Sequence, residues 1–150
     1  MKLLCICHAN ICRSFMAQEF FKQLLPHVTV FSRGLYADPS YSVPSKVIFA
    51  LNAHHIIYTQ HQPTPLCAAD LEQADLIFCM EQAHEETLLD RYAQYTDKIW
   101  LLTEYAYGKA KDIEDPISYN ERDFEKSADK LFQACQVAAK RIEQDFPSQK

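Results

Sequence analysis

No apolar run in this 150-residue chain reaches the roughly 20 residues that a membrane span requires. Positive charge is also scarce. Lys and Arg number 15 against 20 Asp and Glu, for a net charge of −5. That balance argues against nucleic acid as a partner, because binding a phosphate backbone needs a basic face. There is no internal repeat, linker or low-complexity tract, and the only glycines are Gly34 and Gly108. Strand and loop chemistry begin at the first residues, so no signal peptide is expected. The six cysteines therefore read as thiols of a reducing, cytoplasmic compartment rather than as a disulfide framework. Cys5, Cys7, His8 and Cys12 lie close together, but no second cluster at zinc-like spacing follows. Neither a metal nor another cofactor is expected.

What is present is an ordinary globular balance, 48% hydrophobic and 23% charged, in a chain long enough for one domain over residues 1–150. The pattern predicts strands at Lys2–Ile6, Val28–Phe31, Leu76–Met80 and Ile99–Leu102. Helices are predicted at Ser14–Leu25, Pro44–His54, Cys67–Ala74, Gln82–Tyr95 and Arg122–Ile142. The first carries Phe15, Met16, Phe20, Phe21, Leu24 and Leu25 at helical spacing and is stopped by Pro26. Gly34–Val43 and Glu104–Tyr119 read as loops, and Pro147–Lys150 as a frayed tail. Alternating strands and helices give an α/β three-layer sandwich, with a central four-stranded parallel sheet and helices on both faces. Ligands of such sheets bind beyond the carboxyl ends of the strands. The loops leaving the first and fourth strands should therefore meet over one pocket.

The first of those loops is the most informative stretch: Cys7-His8-Ala9-Asn10-Ile11-Cys12-Arg13-Ser14. A strand–loop–helix joint aims backbone N–H groups into the loop, and the helix N-terminus adds positive potential. Arg13, in the first helical turn, can close on an oxyanion bidentately. Ser14 can donate to a thiolate, and Asn10 can hold the loop's shape. Cys7 at the floor of such a cradle is a candidate nucleophile with a depressed pKa.

This Cys-x5-Arg-Ser segment resembles the phosphate loop of the low-molecular-weight protein tyrosine phosphatases. The resemblance runs along nearly the whole chain, through Ser32-Arg33-Gly34, Ala74-Asp75-Leu76-Ile77-Phe78-Cys79-Met80-Glu81 and Asp112-Ile113-Glu114-Asp115-Pro116. It implies a phosphotyrosine-bearing protein as substrate and phosphate as product. By that resemblance Cys7 is the nucleophile, Arg13 the phosphate clamp and Asp115 the general acid and base. His8, Ala9, Asn10, Ile11, Cys12 and Ser14 would line the phosphate site, with Tyr119 as a wall for the substrate ring. It also implies a reversible Cys7–Cys12 disulfide under oxidation, a histidine at His61 supporting Asn10, and a supporting carboxylate at Glu81.

Ala9 stands where the family usually has glycine; if that position needs positive φ, strain of about 1 kcal/mol is expected. Phe15 replaces the usual proline of the first helical turn. Other readings stay open. Ser32-Arg33-Gly34-Leu35 and Leu102-Thr103-Glu104-Tyr105 resemble the protein arginine phosphatase branch, in which threonine is typical where Ile11 stands. Arsenate reductase would use Cys7 and Cys79 but lacks a nearby third cysteine. Ala9 and Phe15 raise the reading of a catalytically weakened phosphate-binding module.

Overall fold

The computed structural model describes residues 1–147; the expected tail at 148–150 lies outside the described residues. Four parallel strands, β1 (Lys2–Cys7), β2 (Thr29–Gly34), β3 (Leu76–Cys79) and β4 (Ile99–Leu101), form one sheet in the order β2-β1-β3-β4. The helices are α1 (Arg13–Leu24), α2 (Ser45–Ala53), α3 (Ala68–Gln73), α4 (Gln82–Arg91), α5 (Leu102–Tyr107) and α6 (Glu121–Asp145), with a 3-10 turn at Ala93–Lys98.

Alternation along the strands decides the layers. Leu3, Cys5 and Phe78 point to one face and pack with Phe15, Phe20, Phe21, Phe124 and Leu131 from α1 and α6. Leu4, Ile6, Ile77 and Cys79 point to the other, against Leu71 of α3 and Leu88 of α4. Both faces of the parallel sheet are thus covered, so its strands read as continuous apolar runs rather than alternating ones. This is the sandwich expected from the sequence, and it sets the carboxyl ends of β1 and β4 at the same edge of the sheet, with β3 between them.

Three elements depart from expectation. Strand β4 stops at Leu101, and the segment expected to be loop begins with α5, whose Leu102, Thr103 and Tyr105 are buried. Gly108 closes α5 in the left-handed conformation, φ 77°, donating to Glu104 O, which is the ordinary way a helix ends on glycine. The helix expected over Gln82–Tyr95 ends at Arg91 and gives way to the 3-10 turn at Ala93–Lys98, none of whose residues is fully buried. Strand β2 runs past Phe31 to Gly34, pairing Ser32 with Cys5 and Gly34 with Cys7.

Candidate active site

The loop from Cys7 to Ser14 begins where β1 ends and finishes inside the first turn of α1, whose N-cap is Cys12. No side chain caps this helix. Among the described residues, the backbone amides of Ala9, Ile11, Cys12, Arg13 and Ser14 have no backbone acceptor. Unsatisfied helix-start and loop amides around one point are the physical basis of an anion site.

Asn10 fixes the loop. It is fully buried and holds φ 60°; among the described residues it is one of two non-glycine positions with positive φ, the other being His55. The left-handed position therefore falls on Asn10, not Ala9. Asparagine tolerates that region better than most residues, so the strain expected at Ala9 is absent. Every polar atom of Asn10 is used. Its Nδ2 donates to Ser14 Oγ at 2.8 Å and Ser32 Oγ at 3.0 Å. Its Oδ1 accepts from Thr64 N–H at 3.0 Å, and its carbonyl lies 2.8 Å from His61 Nε2, which must carry the proton. Its own N–H donates to Cys7 Sγ at 3.3 Å.

The ring of His61 stacks on Phe15, with centroids 4.0 Å apart and planes 13° from parallel. Phe15 thus supplies, by packing behind the loop, order that a proline would supply by restricting φ. Burial lowers the His61 pKa, against the bond to Asn10 that raises it.

Cys7 Sγ lies 2.9 Å from Ser14 Oγ. As a thiol Cys7 donates to Ser14 Oγ, which also accepts from Asn10 Nδ2; in the thiolate the Ser14 hydroxyl can turn its own proton to the sulfur. A thiolate here has two donors, the Ser14 hydroxyl and the Asn10 amide. Cys12 is held differently: burial first, then the neighbouring Cys7, pushes its pKa up well beyond the ordinary thiol range. All six cysteines are free thiols.

Arg13 is buried at 3% exposure, and its Nη1 donates to Glu81 Oε2 at 2.7 Å and to Ile113 O at 2.8 Å. Its Nη2 lies 4.0 Å from Asp115 Oδ2. Burial pulls the guanidinium pKa down, but Cys7, Glu81 and Asp115 outweigh it and the net shift is upward. Arg13 therefore ties the phosphate loop to the end of β3 and to the Asp115 loop. Ile113 N–H donates to Met80 O at 2.8 Å, and Asp112 Oδ1 accepts Gln82 N–H at 2.8 Å, so the Asp115 loop is pinned from both sides.

These loops enclose a cavity of about 40 Å³ lined by Cys7, Ala9, Ile11, Cys12, Arg13, Asp115 and Ile117. Asn10 and Ser14 stand behind it, fully buried. The exposed His8 ring faces Tyr36, with centroids 4.9 Å apart, so its side chain does not line the cavity. Tyr119 is likewise outside: its hydroxyl donates to Glu114 Oε2 at 3.0 Å and it borders a neighbouring groove. Ile117, not Tyr119, lines the cavity. Asp115 Oδ1 accepts the Ile117 N–H at 3.1 Å and curls the chain after Pro116 back toward the mouth. Cys79 is fully buried on the far face of the sheet, out of reach as a second redox thiol.

Gly34 is required by close approach. A Cβ there would sit 2.9 Å from both Ala9 C and His8 O, backbone atoms that cannot swing away. Gly34→Ala is expected to cost about 1–3 kcal/mol of stability by overpacking. It should also lower turnover about 10²-fold by displacing the loop. Thermal unfolding and steady-state hydrolysis check this together, and wild-type values in both would contradict it.

A thiol at the floor of a cup of free amides, an arginine fork over it and a carboxylate at the rim are arranged for transfer of a tetrahedral oxyanion. Comparison with known proteins agrees with this geometry. Residues 2–148 match the family model described as low molecular weight phosphotyrosine protein phosphatase. The protein-arginine-phosphatase of Bacillus subtilis (strain 168) is 30% identical over 149 residues, covering 97% of this chain and 99% of its own length. The low molecular weight protein-tyrosine-phosphatase PtpB of Staphylococcus epidermidis is 30% identical over 137 residues, covering 88% and 92%. The crystal structure of a YwlE mutant from Bacillus subtilis superposes with a TM-score of 0.90 at 28% identity, covering 95% of this chain and 99% of that one. With sequence, fold and loop geometry in agreement, the chain belongs to the low molecular weight phosphotyrosine protein phosphatase family.

Proposed function

We propose that this protein is a cytoplasmic protein tyrosine phosphatase that works through a phosphocysteine on Cys7. The observation that carries this reading is the cavity in which Cys7, Arg13 and Asp115 meet between two apolar walls, Ile11 and Ile117. The Cys7 thiolate attacks phosphorus in line with the ester oxygen. The phosphorus–sulfur bond forms as the phosphorus–oxygen bond breaks, and Asp115 gives its proton to the departing phenolate. Arg13 and the loop amides hold the three equatorial oxygens as charge redistributes. In the second step Asp115 takes a proton from water, the water attacks phosphorus, and the thiolate leaves again as inorganic phosphate is released. The cycle needs no metal and no cofactor.

The Ile11 and Ile117 walls favour an aromatic ester, whose ring gains from contact with apolar side chains. A second reading, a protein arginine phosphatase, draws support from the Bacillus subtilis relative that aligns over 97% of the chain. Hydrolysis of phosphotyrosine and phosphoarginine peptides of the same sequence separates the two. The expected result is a kcat/KM at least about tenfold higher for phosphotyrosine. A preference for phosphoarginine would transfer the assignment to the second reading.

A further inference from the structure

Beside the Cys7 cavity lies a groove of about 710 Å³, between α5, the Asp115 loop and α6. That volume lies within the range of ligand-binding clefts. The two sites share a wall: Ile113 and Glu114 face the groove, while Asp115 and Ile117 face the cavity. The floor is apolar, formed by Ile113 and Leu131.

Charge distinguishes this groove. On a molecule of net charge −5, it gathers Lys109, Lys111, Lys126 and Lys130. All are exposed, and none enters an ion pair among the described residues. A fifth cation, Lys46, adjoins the rim and donates to Tyr119 O. The acids of the groove are Asp112, Glu114 and Asp123. Asp112 accepts from the Gln82 backbone and side chain, Glu114 accepts from Tyr119 OH, and Asp123 sits in the first turn of α6, where the helix dipole favours it. Asp112 and Glu114 have local partners, and the four lysines are exposed.

We propose that this groove docks an acidic segment of the phosphoprotein substrate, flanking the residue held in the Cys7 cavity. The inference rests on the phosphatase reading above. An extended chain advances about 3.3 Å per residue, so carboxylates a few positions from the phosphoresidue would pass over the Ile113–Asp115 wall and meet the lysines. The apolar floor takes the stems and intervening side chains. The groove acts on KM, because its contacts form in the bound complex and do not change during bond cleavage.

The test compares two phosphotyrosine peptides differing only in flank, one carrying Asp and Glu and the other Asn and Gln. The acidic peptide is expected to show a KM about fivefold lower at low salt with equal kcat, the difference vanishing near roughly 0.5 M salt. In a Lys126→Gln/Lys130→Gln protein the preference disappears while hydrolysis of p-nitrophenyl phosphate is unchanged. Equal KM values in the wild type would overturn the proposal. So would a preference that survives the double substitution, or an equal loss with p-nitrophenyl phosphate, which would mean that the lysines act only through the loop. Binding of the unphosphorylated acidic peptide to Cys7→Ser protein, measured by calorimetry, separates docking from catalysis. Binding that requires the lysines supports the groove even if neither phosphopeptide is turned over, and no binding counts against it.

Discussion

Replacing Cys7 by serine is expected to lower phosphotyrosine turnover by at least about 10⁴-fold while leaving inorganic phosphate bound. The two side chains differ by one atom, and the cup around them is unchanged: Arg13, the loop amides and the Ser14 hydroxyl all remain. What is lost is the ionised nucleophile. In the reacting thiolate two hydrogen bonds hold the sulfur, from Ser14 Oγ at 2.9 Å and Asn10 N–H at 3.3 Å. A serine hydroxyl needs an adjacent base to react, and the contacts of Cys7 Sγ include neither a histidine nor a carboxylate. Phosphate affinity should be equal to wild type or higher, because the substitution removes a negative charge from the floor of an anion site. Calorimetric titration with phosphate beside steady-state kinetics checks both halves. A serine protein within about tenfold of wild-type turnover would place the nucleophile elsewhere.

The second large effect is expected from Arg13→Lys, which keeps the charge and removes the fork. Arg13 performs several tasks with one planar group. Nη1 holds Glu81 and the Ile113 carbonyl at 2.7 and 2.8 Å, which leaves the rest of the guanidinium, facing the cavity, for phosphate. A lysine ammonium is a point donor on a flexible stem and cannot span these partners in one plane. Turnover should fall about 10³-fold, near the upper range for loss of a preorganised transition-state donor. The fall should lie mainly in kcat, because the Asp115 loop loses its tether at Ile113 O as well. Activity within threefold of wild type would mean that charge alone suffices and that the Glu81–Arg13–Ile113 arrangement is incidental.

The phosphate loop was legible because its chemistry is local. Cys7, Arg13 and Ser14 occupy one short joint between an apolar strand and an amphipathic helix, and a joint of that kind has few conformations. Asp115 came only through the resemblance, since Asp112 and Glu114 crowd the same loop and the residues alone leave all three open; the parallel topology says only that loops from the same ends of strands come together. The strained position was not legible: a missing glycine directs attention to Ala9, whereas the backbone turns at Asn10, whose side chain satisfies its own surroundings. Ser32, beyond the strand predicted to end at Phe31, is buried, and its hydroxyl accepts from Asn10 Nδ2 and donates to Gln18 Oε1.

Helix α5 escaped notice for another reason. Ile99-Trp100-Leu101-Leu102 is a continuous apolar run, and where a buried strand passes directly into a short buried helix neither period can emerge. The lysine groove had no sequence signature, since Lys109 and Lys111 come from one segment, Lys126 and Lys130 from another, and only the packing of α6 beside α5 joins them.

The central claim is a covalent bond between phosphorus and Cys7. Mixing Asp115→Asn protein with p-nitrophenyl phosphate and quenching in acid tests it most directly. A good leaving group needs little help from the acid in the first step, whereas attack by water in the second step loses its base, so the intermediate should accumulate. Mass spectrometry of the proteolysed protein is expected to find one phosphoryl group on the fragment containing Cys7, and none when Cys7 is also replaced by serine. A phosphoryl group on another residue, or turnover with no adduct at any quench time, would contradict the mechanism.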